Sequence, residues 1–315
     1  MFDAQSFRLV NAWQRGFPLV PRPFAEIARA SGMDEEEAIA HFAQLKSRGL
    51  IDRIAPVFRP NTVGASTLAA IAVPPERLDR VAAQVSAHAG VNHNYEREHR
   101  VNLWFVATAP SEGALRWTLS CIEHETGLPV LRLPLLEEFH IDLGFDLEDH
   151  SVPRAPCPGA VAPLAEDERA LAARLAAGLP LEPRPFAAFG LPEEEVIARL
   201  ARWLETGVAR RVGAVVRHRP LGYQANAMVV WDVPDGEVAD AGRRLATDAA
   251  VTLCYRRARA LPDWTCNLYC MLHGRSRESV ERDIERLCDA HAMRAYPRAV
   301  LFSRRCFSQR AARYA

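Results

Sequence analysis

The heptapeptide Pro18-Leu-Val-Pro-Arg-Pro-Phe24 recurs as Pro180-Leu-Glu-Pro-Arg-Pro-Phe186. Two further pairs repeat in the same order, Asp34-Glu-Glu-Glu-Ala-Ile39 with Pro192-Glu-Glu-Glu-Val-Ile197, and Asn102-Leu-Trp-Phe105 with Asn267-Leu-Tyr-Cys270. The period is about 160 residues, much longer than the repeat of a solenoid, so it indicates duplicated domains. Between the two copies, residues 149–163 are rich in proline and predict a linker.

Each copy begins with short amphipathic helices. The order is helix, turn, helix and a short extended wing, which is the order of a winged helix-turn-helix. The segments that predict it are the helices 24–30, 34–47 and 193–205, the glycine stops Gly49 and Gly207, and the wing 51–58.

The remainder of each copy predicts strand, helix, strand, strand, helix, strand, which is the ferredoxin-like plan. The segments are 66–73, 75–89, 91–95, 101–108, 111–126 and 130–139 in the first copy, and 225–233, 236–249, 251–255, 267–272 and 276–290 in the second. The prediction is an α+β fold of tandem winged helix-turn-helix and ferredoxin-like (βαββαβ) units, packed through their sheets as an internally duplicated pseudo-dimer. The predicted domains are 1–62, 63–148, 164–220 and 221–315.

The charge balance argues against nucleic acid as a partner. The 315 residues carry 39 basic and 39 acidic side chains, for a net charge of +0, whereas nucleic-acid binding relies on a basic surplus. The two second helices also begin with Asp34-Glu-Glu-Glu and Glu193-Glu-Glu, at the end that a recognition helix presents to DNA. Carboxylates there suit the helix dipole but repel phosphates. We therefore expect no DNA binding.

Targeting and redox features point to a cytoplasmic protein. Residues 1–15 lack the apolar core of a signal peptide, and no apolar run reaches the 18 or so residues of a membrane span. The 7 cysteines include no CxxC pair, which disfavours a zinc or redox motif and predicts reduced thiols. We expect no membrane partner.

A winged helix-turn-helix followed by a βαββαβ domain resembles the Lrp/AsnC layout, twice and over essentially the whole chain. The middle hairpins resemble its enzyme branch, the siroheme decarboxylases. Gly90-Val-Asn-His-Asn-Tyr-Glu-Arg-Glu-His-Arg-Val-Asn-Leu-Trp-Phe105 is similar to the NirD/AhbA type of subunit, as is Leu133-Pro-Leu-Leu-Glu-Glu-Phe-His-Ile-Asp-Leu-Gly-Phe145. The NirL/AhbB type is resembled by Val251-Thr-Leu-Cys-Tyr-Arg-Arg, by Pro262-Asp-Trp-Thr-Cys-Asn-Leu-Tyr-Cys-Met-Leu-His-Gly274 and by Pro297-Arg-Ala-Val-Leu-Phe-Ser-Arg-Arg-Cys-Phe307.

This resemblance implies a siroheme decarboxylase that removes carbon dioxide from two acetate groups to give 12,18-didecarboxysiroheme, in haem d1 biosynthesis. Siroheme is an iron tetrapyrrole with eight carboxylates, so the iron belongs to the substrate and no added cofactor is expected. A second homologous subunit or a homodimer is a further expected partner. Two alternatives remain open, a catalytically silent tetrapyrrole-binding partner subunit and an Lrp/AsnC-type DNA-binding regulator.

The predicted catalytic residues follow one another in the first hairpin. His93, Tyr95 and Arg97 alternate along a strand and therefore share a face, and His99 follows them. Histidine suits proton delivery because its ordinary pKa lies near the operating pH. His93 is expected either to protonate the reacting carbon or to ligate the siroheme iron. Leu253 stands at its position in the second copy, which predicts unequal sites.

Other side chains are expected to bind the substrate, because arginine grips carboxylates through paired hydrogen bonds and aromatic rings can flank a flat macrocycle. The predicted residues are Asn94, Asn102, Trp104, Arg53, Arg59, Arg217, Tyr255, Arg256 and Arg257. The arginines that correspond between copies, Arg53 with Arg211 and Arg59 with Arg217, have the alternative role of bridging domains. A thiolate ligand from Cys254, Cys266 or Cys270 is a further alternative.

Overall fold

The structure is a computed structural model that describes residues 4–141, 161, 164–217 and 222–314. The chain forms two compact units. The helical unit comprises Met1–Gly64, Pro158–Leu221 and Arg313–Ala315, and the sheet unit comprises Ala65–Cys157 and Gly222–Ala312. Each unit therefore contains the matching parts of both copies. The predicted linker 149–163 lies outside the described residues except for residue 161.

Helices and strands follow the same order in both copies. In chain order they are α1 (Ala4–Ala12), α2 (Pro23–Ser31), α3 (Glu35–Ser47), β1 (Ile51–Phe58), β2 (Ala65–Ile71), α4 (Leu78–Ala87), β3 (Val91–Arg97), β4 (Leu103–Ala109), α5 (Glu112–Thr126), β5 (Leu131–Leu133), β6 (Leu135–Ile141), α6 (Glu166–Ala176), α7 (Glu193–Glu205), β7 (Ala209–Val216), β8 (Ala225–Trp231), α8 (Val238–Leu245), β9 (Val251–Arg257), β10 (Leu268–Gly274), α9 (Arg277–Ala290) and β11 (Arg298–Gln309). A short 3₁₀ turn, Pro185–Phe189, stands in the second copy where α2 stands in the first. No helix in the described part of the chain is long and apolar enough to cross a membrane.

The arginine of the repeated heptapeptide pairs with a glutamate at the start of α3 in the first copy and of α7 in the second. Arg22 pairs with Glu35 at the start of α3, and Arg184 pairs with Glu193 at the start of α7, with its Nε 3.0 Å from the carboxylate. Asp34 caps α3 through a reciprocal hydrogen-bonded box with the glutamate three residues later. The acidic helix starts therefore have a structural function in both copies.

The predicted wing is a strand whose partner comes from the other copy. β1 pairs antiparallel with β7, with Ile54 opposite Ala214 and Pro56 opposite Val212. The pair forms a two-stranded sheet inside the helical unit. This pairing satisfies backbone groups that would otherwise be left open at a strand edge, and it joins the two copies.

The sheet unit contains one antiparallel sheet of nine strands, in the order β5-β2-β4-β3-β11-β8-β10-β9-β6. The first copy contributes β2 to β6 with α4 and α5, and the second contributes β8 to β11 with α8 and α9. In each copy the elements follow the strand-helix-strand-strand-helix-strand order, so the predicted ferredoxin-like plan is confirmed.

The last strand of each copy crosses to the other copy. β5 pairs with β2 of its own copy, whereas β6 pairs with β9 of the second copy. Similarly, the first part of β11 pairs with β8 and its second part pairs with β3 of the first copy. The prediction of one uninterrupted strand over 130–139 is wrong, because Pro134 has no N–H to donate and separates β5 from β6. β5 and β6 stand at the two ends of the strand order but are consecutive in the chain, so Pro134 joins the two edges and the sheet closes on itself. The predicted pseudo-dimer is therefore built within one sheet.

The described part of the sheet unit has three hydrophobic cores. Two of them lie on what we call the outer face, one between the sheet and the helices of each copy. The third lies on the opposite, inner face and takes residues from both copies, among them Leu68, Trp104, Met228, Tyr269 and Leu301. Both copies therefore build the inner face together.

Candidate functional site

Three of the predicted catalytic side chains share the inner face of β3. The rings of His93 and Tyr95 are stacked, with centroids 6.1 Å apart and planes at 16°. The guanidinium carbon of Arg97 lies 5.8 Å from the Tyr95 centroid. Asn94, between them, points to the outer face and donates to the carbonyl of Ala82 in α4 at 3.1 Å. His93, Tyr95 and Arg97 therefore lie on one face of β3 and Asn94 on the other, as the alternation in the sequence predicted.

The Arg97 side chain is engaged with the second copy. It is only 8% exposed, and its Nη1 donates to the carbonyl of Leu301 on β11 at 3.1 Å. Arg257 of the second copy makes the equivalent contact to the first copy, where its Nη1 donates to the carbonyl of Leu133 on β5 at 2.7 Å. Its guanidinium carbon lies 4.6 Å from the centroid of the Tyr255 ring. The two arginines hold the last strand of the other copy. This favours a positioning role over the predicted catalytic role of Arg97 and the predicted carboxylate binding by Arg257.

His99 follows β3 and contacts the loop of the hairpin. Its Nδ1 accepts a hydrogen bond from the Val101 N–H at 3.0 Å, and its ring meets Trp264 edge-on at 5.3 Å. Burial, reinforced by the neighbouring Arg100 guanidinium, lowers the pKa of His99. A neutral imidazole with one nitrogen occupied is suited to fixing the turn.

The two copies differ around the His93 position. His93 lies opposite Val106 on β4 and opposite Gln309 on β11. In the second copy, Leu253 lies opposite Met271 on β10 and Ile141 on β6. Leu253, Ile141 and Met271 all belong to the inner core. The first copy therefore offers polar groups where the second is apolar, as the Leu253 position predicted.

A second imidazole reaches the inner face from the other copy. His273 follows Tyr269 and Met271 at alternate positions of β10, and both of these pack into the inner core. Its Nδ1 lies 3.0 Å from the Thr252 Oγ1, which is also 3.0 Å from the Met271 carbonyl oxygen. His273 was not among the site residues predicted from the sequence. Its spacing of four residues from Tyr269 and two from Met271 on the same strand was the available signal.

Several predicted substrate-binding groups are bonded to the protein itself. The Asn102 side chain accepts from the Val73 N–H and donates to the Val73 carbonyl, both at 2.9 Å, and Asn267 does the same for Val233. Trp104 is 1% exposed and donates to a hairpin carbonyl at 2.8 Å. These contacts favour a structural role for the repeated asparagine motif and for Trp104.

Arg256, Cys254 and Cys270 lie on the outer side of β9 and β10, whereas Cys266 packs against the inner core. Arg256 lies 3.3 Å from the Asp235 carboxylate. Cys254 and Cys270 lie opposite each other with their sulfurs 3.3 Å apart, in the outer core under α8 and α9. Burial raises the pKa of the Cys270 thiol, and it raises the pKa of Cys266 to about 11. Neutral, buried thiols do not favour iron ligation.

The remaining predicted arginines lie in the helical unit. Arg53 and Arg217 both pair with Asp52, the latter at 2.7 Å, and Arg53 also donates to the Ala176 carbonyl at 2.8 Å. The Arg59 N–H donates to the Val208 carbonyl at 2.9 Å, alongside the β1–β7 pair. Arg211, which corresponds to Arg53 in the second copy, is 6% exposed, and burial lowers its pKa to about 10. These contacts favour the alternative role of joining the two copies.

Family models match most of the chain. The model described as the siroheme decarboxylase NirDL-like HTH domain matches residues 7–51 and 168–210, and that of the AsnC-like ligand binding domain matches residues 63–140 and 220–308. The siroheme decarboxylase NirDL subunit of Paracoccus denitrificans (strain Pd 1222) is 46% identical, over 98% of this chain and 97% of that protein. The siroheme decarboxylase of Hydrogenobacter thermophilus (strain DSM 6534 / IAM 12695 / TK-6) is 32% identical, over 96% of this chain and 92% of that protein.

A solved structure is similar over the same length. The crystal structure of the siroheme decarboxylase NirDL in co-complex with an iron-uroporphyrin III analogue has a TM-score of 0.69 and 29% identity. The match covers 98% of this chain and 93% of that one. The similarity therefore extends across both copies and both units.

Proposed function

The chain belongs to the siroheme decarboxylase NirDL family, and we propose that it removes carbon dioxide from two acetate side chains of siroheme to give 12,18-didecarboxysiroheme, in haem d1 biosynthesis. The resemblance read from the sequence is thereby confirmed. The observation within this chain that best supports the activity is His93 on the inner face, stacked on Tyr95 and opposite Gln309 of the other copy.

Each decarboxylation needs one proton at the reacting carbon. The bond between the acetate CH2 and its carboxylate breaks, carbon dioxide leaves, and the carbon takes a proton to become a methyl group. The conjugated ring of the substrate can accept the electron pair that this bond leaves behind. In this proposal His93 delivers the proton, and its stacked contact with Tyr95 supports the role because it orders the imidazole ring.

His273 is a second candidate proton donor. Two acetates react, and the inner face carries His93 from the first copy and His273 from the second. The Thr252 hydroxyl oxygen lies 3.0 Å from the Nδ1 of His273, and this contact holds the imidazole in place on the inner face. The second copy then contributes an imidazole from β10, although Leu253 occupies the position that corresponds to His93.

Proton delivery and iron ligation by His93 predict different spectra. If His93 ligates the siroheme iron, His93→Ala changes the Soret band of the bound tetrapyrrole, and free imidazole restores it. If His93 only delivers protons, the band of the His93→Ala complex matches that of the wild type. Both cases leave the iron as part of the substrate, as predicted, so no added cofactor is proposed.

The proposal keeps further predictions from the sequence. Arg53 and Arg217 would bind substrate carboxylates by exchanging their contacts with Asp52, and Arg59 is the third arginine of the helical unit predicted to do so. The proposal also includes a cytoplasmic location and assembly with a second homologous subunit or as a homodimer. The closed sheet supports a chain that supplies both homologous halves itself.

The test compares matched variants under anaerobic conditions, with products read by mass spectrometry. His93→Ala is expected to slow carbon dioxide release by about 100-fold to 10,000-fold, as is usual when a general acid is lost. Leu253→Ala, at the corresponding position, is expected to retain most of the activity. Siroheme binding, read from the Soret band, should survive in both. A His93→Ala protein as active as Leu253→Ala would remove His93 from the reaction.

A further inference from the structure

A β-bulge at Asn92 determines which face of β3 carries His93. Val91 packs into the outer core of the first copy, and in a regular strand the residue two positions later would share that face. The register of β3 against β4 shifts between Val91 and His93. Asn92 is therefore the extra residue, and His93 lies with Tyr95 on the inner face. Thr252 is the corresponding extra residue of β9, and bulges of this kind re-aim side chains next to active sites.

One arginine from the second copy holds this bulge. Arg310 directly follows β11, and its backbone N–H donates to the Asn92 carbonyl at 2.8 Å. Its Nε donates to the Val91 carbonyl at 2.9 Å. Its Nη2 donates to the carbonyls of Ser86 and, at 3.2 Å, of His88, at the C-terminal end of α4. A cation is favourable there because of the helix dipole.

We propose that Arg310 is a positioning residue for the decarboxylation and acts through His93. All four of its acceptors lie within the seven residues that precede His93 in the chain. They fix the end of α4, the entry to β3 and the bulge itself, which together set the direction of the imidazole. The proposal rests on the proposed role of His93 and adds that the second copy positions the proton donor of the first.

A double-mutant cycle tests whether Arg310 acts through His93. Arg310→Met keeps the apolar length of the side chain and removes its donors. We expect carbon dioxide release to fall by about 10-fold to 100-fold, since a displacement of about 1 Å at a reacting group has an effect of that size. Siroheme affinity should change little. In a His93→Ala background, Arg310→Met should have no further effect, because the group through which it acts is gone.

Arg244 provides the matched control. Its Nε lies 3.4 Å from the His291 carbonyl, just beyond the C-terminal end of α9 in the second copy, so it makes a similar contact without touching β3. Arg244→Met should leave the rate unchanged in both backgrounds. Arg310→Lys keeps a cation and should retain an intermediate rate, and it replaces Arg310→Met if that protein does not fold.

Amide hydrogen exchange tests the positioning without reference to activity. Arg310→Met should speed exchange at residues 91–94, whereas Arg244→Met should not. Unchanged exchange at these amides would overturn the proposal, as would equal rate losses from Arg310→Met with and without His93. If the wild-type chain released no carbon dioxide, the proposed function would fail, and the exchange measurement would still decide whether Arg310 holds the bulge.

Discussion

Gly242→Ala is expected to loosen the crossing of β6 into the second copy. A Cβ at Gly242, in α8, would lie 2.1 Å from the Cε2 of Phe139 on β6. Carbon atoms in contact lie about 3.5–4.0 Å apart, so the ring must move by roughly 1.5 Å. Overpacking of this kind costs about 1–3 kcal/mol, whereas alanine in place of a helical glycine gains about 0.5–1 kcal/mol. The expected result is a loss of about 1–2 kcal/mol in the free energy of unfolding.

Urea unfolding followed by circular dichroism measures this loss as a lower midpoint. The control is Gly113→Ala in α5, where the nearest atom to an added Cβ is 3.8 Å away, so the midpoint should not fall. Shortening the ring with Phe139→Leu should cost less in the Gly242→Ala background than in the wild type, because the two residues are in contact. A Gly242→Ala protein as stable as Gly113→Ala would refute the placement of β6 against α8.

Three further predictions concern charge, assembly and partners. Arg286 donates to both Asp248 oxygens at 2.7 and 2.8 Å and, with the Ala250 N–H and His291, holds the pKa of Asp248 well below its usual range. The ionised Asp248 therefore stabilises the fold above the ordinary aspartate pKa, and this stabilisation is lost as the pH falls towards the lowered pKa of the folded state. Asp248→Asn should lower the free energy of unfolding, read from urea midpoints, by about 1–3 kcal/mol at pH 7 and by progressively less below about pH 4. A stability difference between variant and wild type that stays the same at low pH would contradict this prediction. Residues 1–150 or 164–315 expressed alone should aggregate or self-associate in size-exclusion chromatography, because β6 and the second part of β11 lose their partner strands, and two stable monomers would refute the pseudo-dimer. A panel of DNA duplexes should show no binding at moderate salt, because the helix starts that would face phosphates carry carboxylates such as Glu35; sequence-specific binding tighter than about micromolar would contradict the charge argument.

Local signals in the sequence predicted much of the fold. The repeat predicted two copies, and alternation along β3 placed His93, Tyr95 and Arg97 on one face, as observed. Asp34 predicted the start of the second helix, and it caps α3. These features depend on neighbours a few residues away, and a single sequence carries that information directly.

Pairings between distant segments could not be predicted in this way. Neither periodicity nor composition specifies that β1 pairs with β7 or that β6 pairs with β9. Pro134 was a visible signal for the break between β5 and β6, but it did not identify the partner of each part. The bulge at Asn92 could not be predicted either, because a bulge is defined by the register with the neighbouring strand.

The binding partners of the arginines could not be predicted from the sequence either. A guanidinium can bind a substrate carboxylate, a protein carboxylate or a backbone carbonyl. Arg97 and Arg257 bind carbonyls of crossing strands, and Arg53 and Arg217 bind Asp52. Only the folded chain distinguishes these uses.

The most direct test of the central claim is anaerobic incubation of the purified chain with siroheme alone, followed by mass spectrometry of the tetrapyrrole. We expect siroheme to be converted to a product that has lost two molecules of carbon dioxide, with no other protein or cofactor added. Siroheme that binds, with a shifted Soret band, but is recovered intact would contradict the proposed function. That result would identify the chain as the tetrapyrrole-binding partner of another, catalytic subunit.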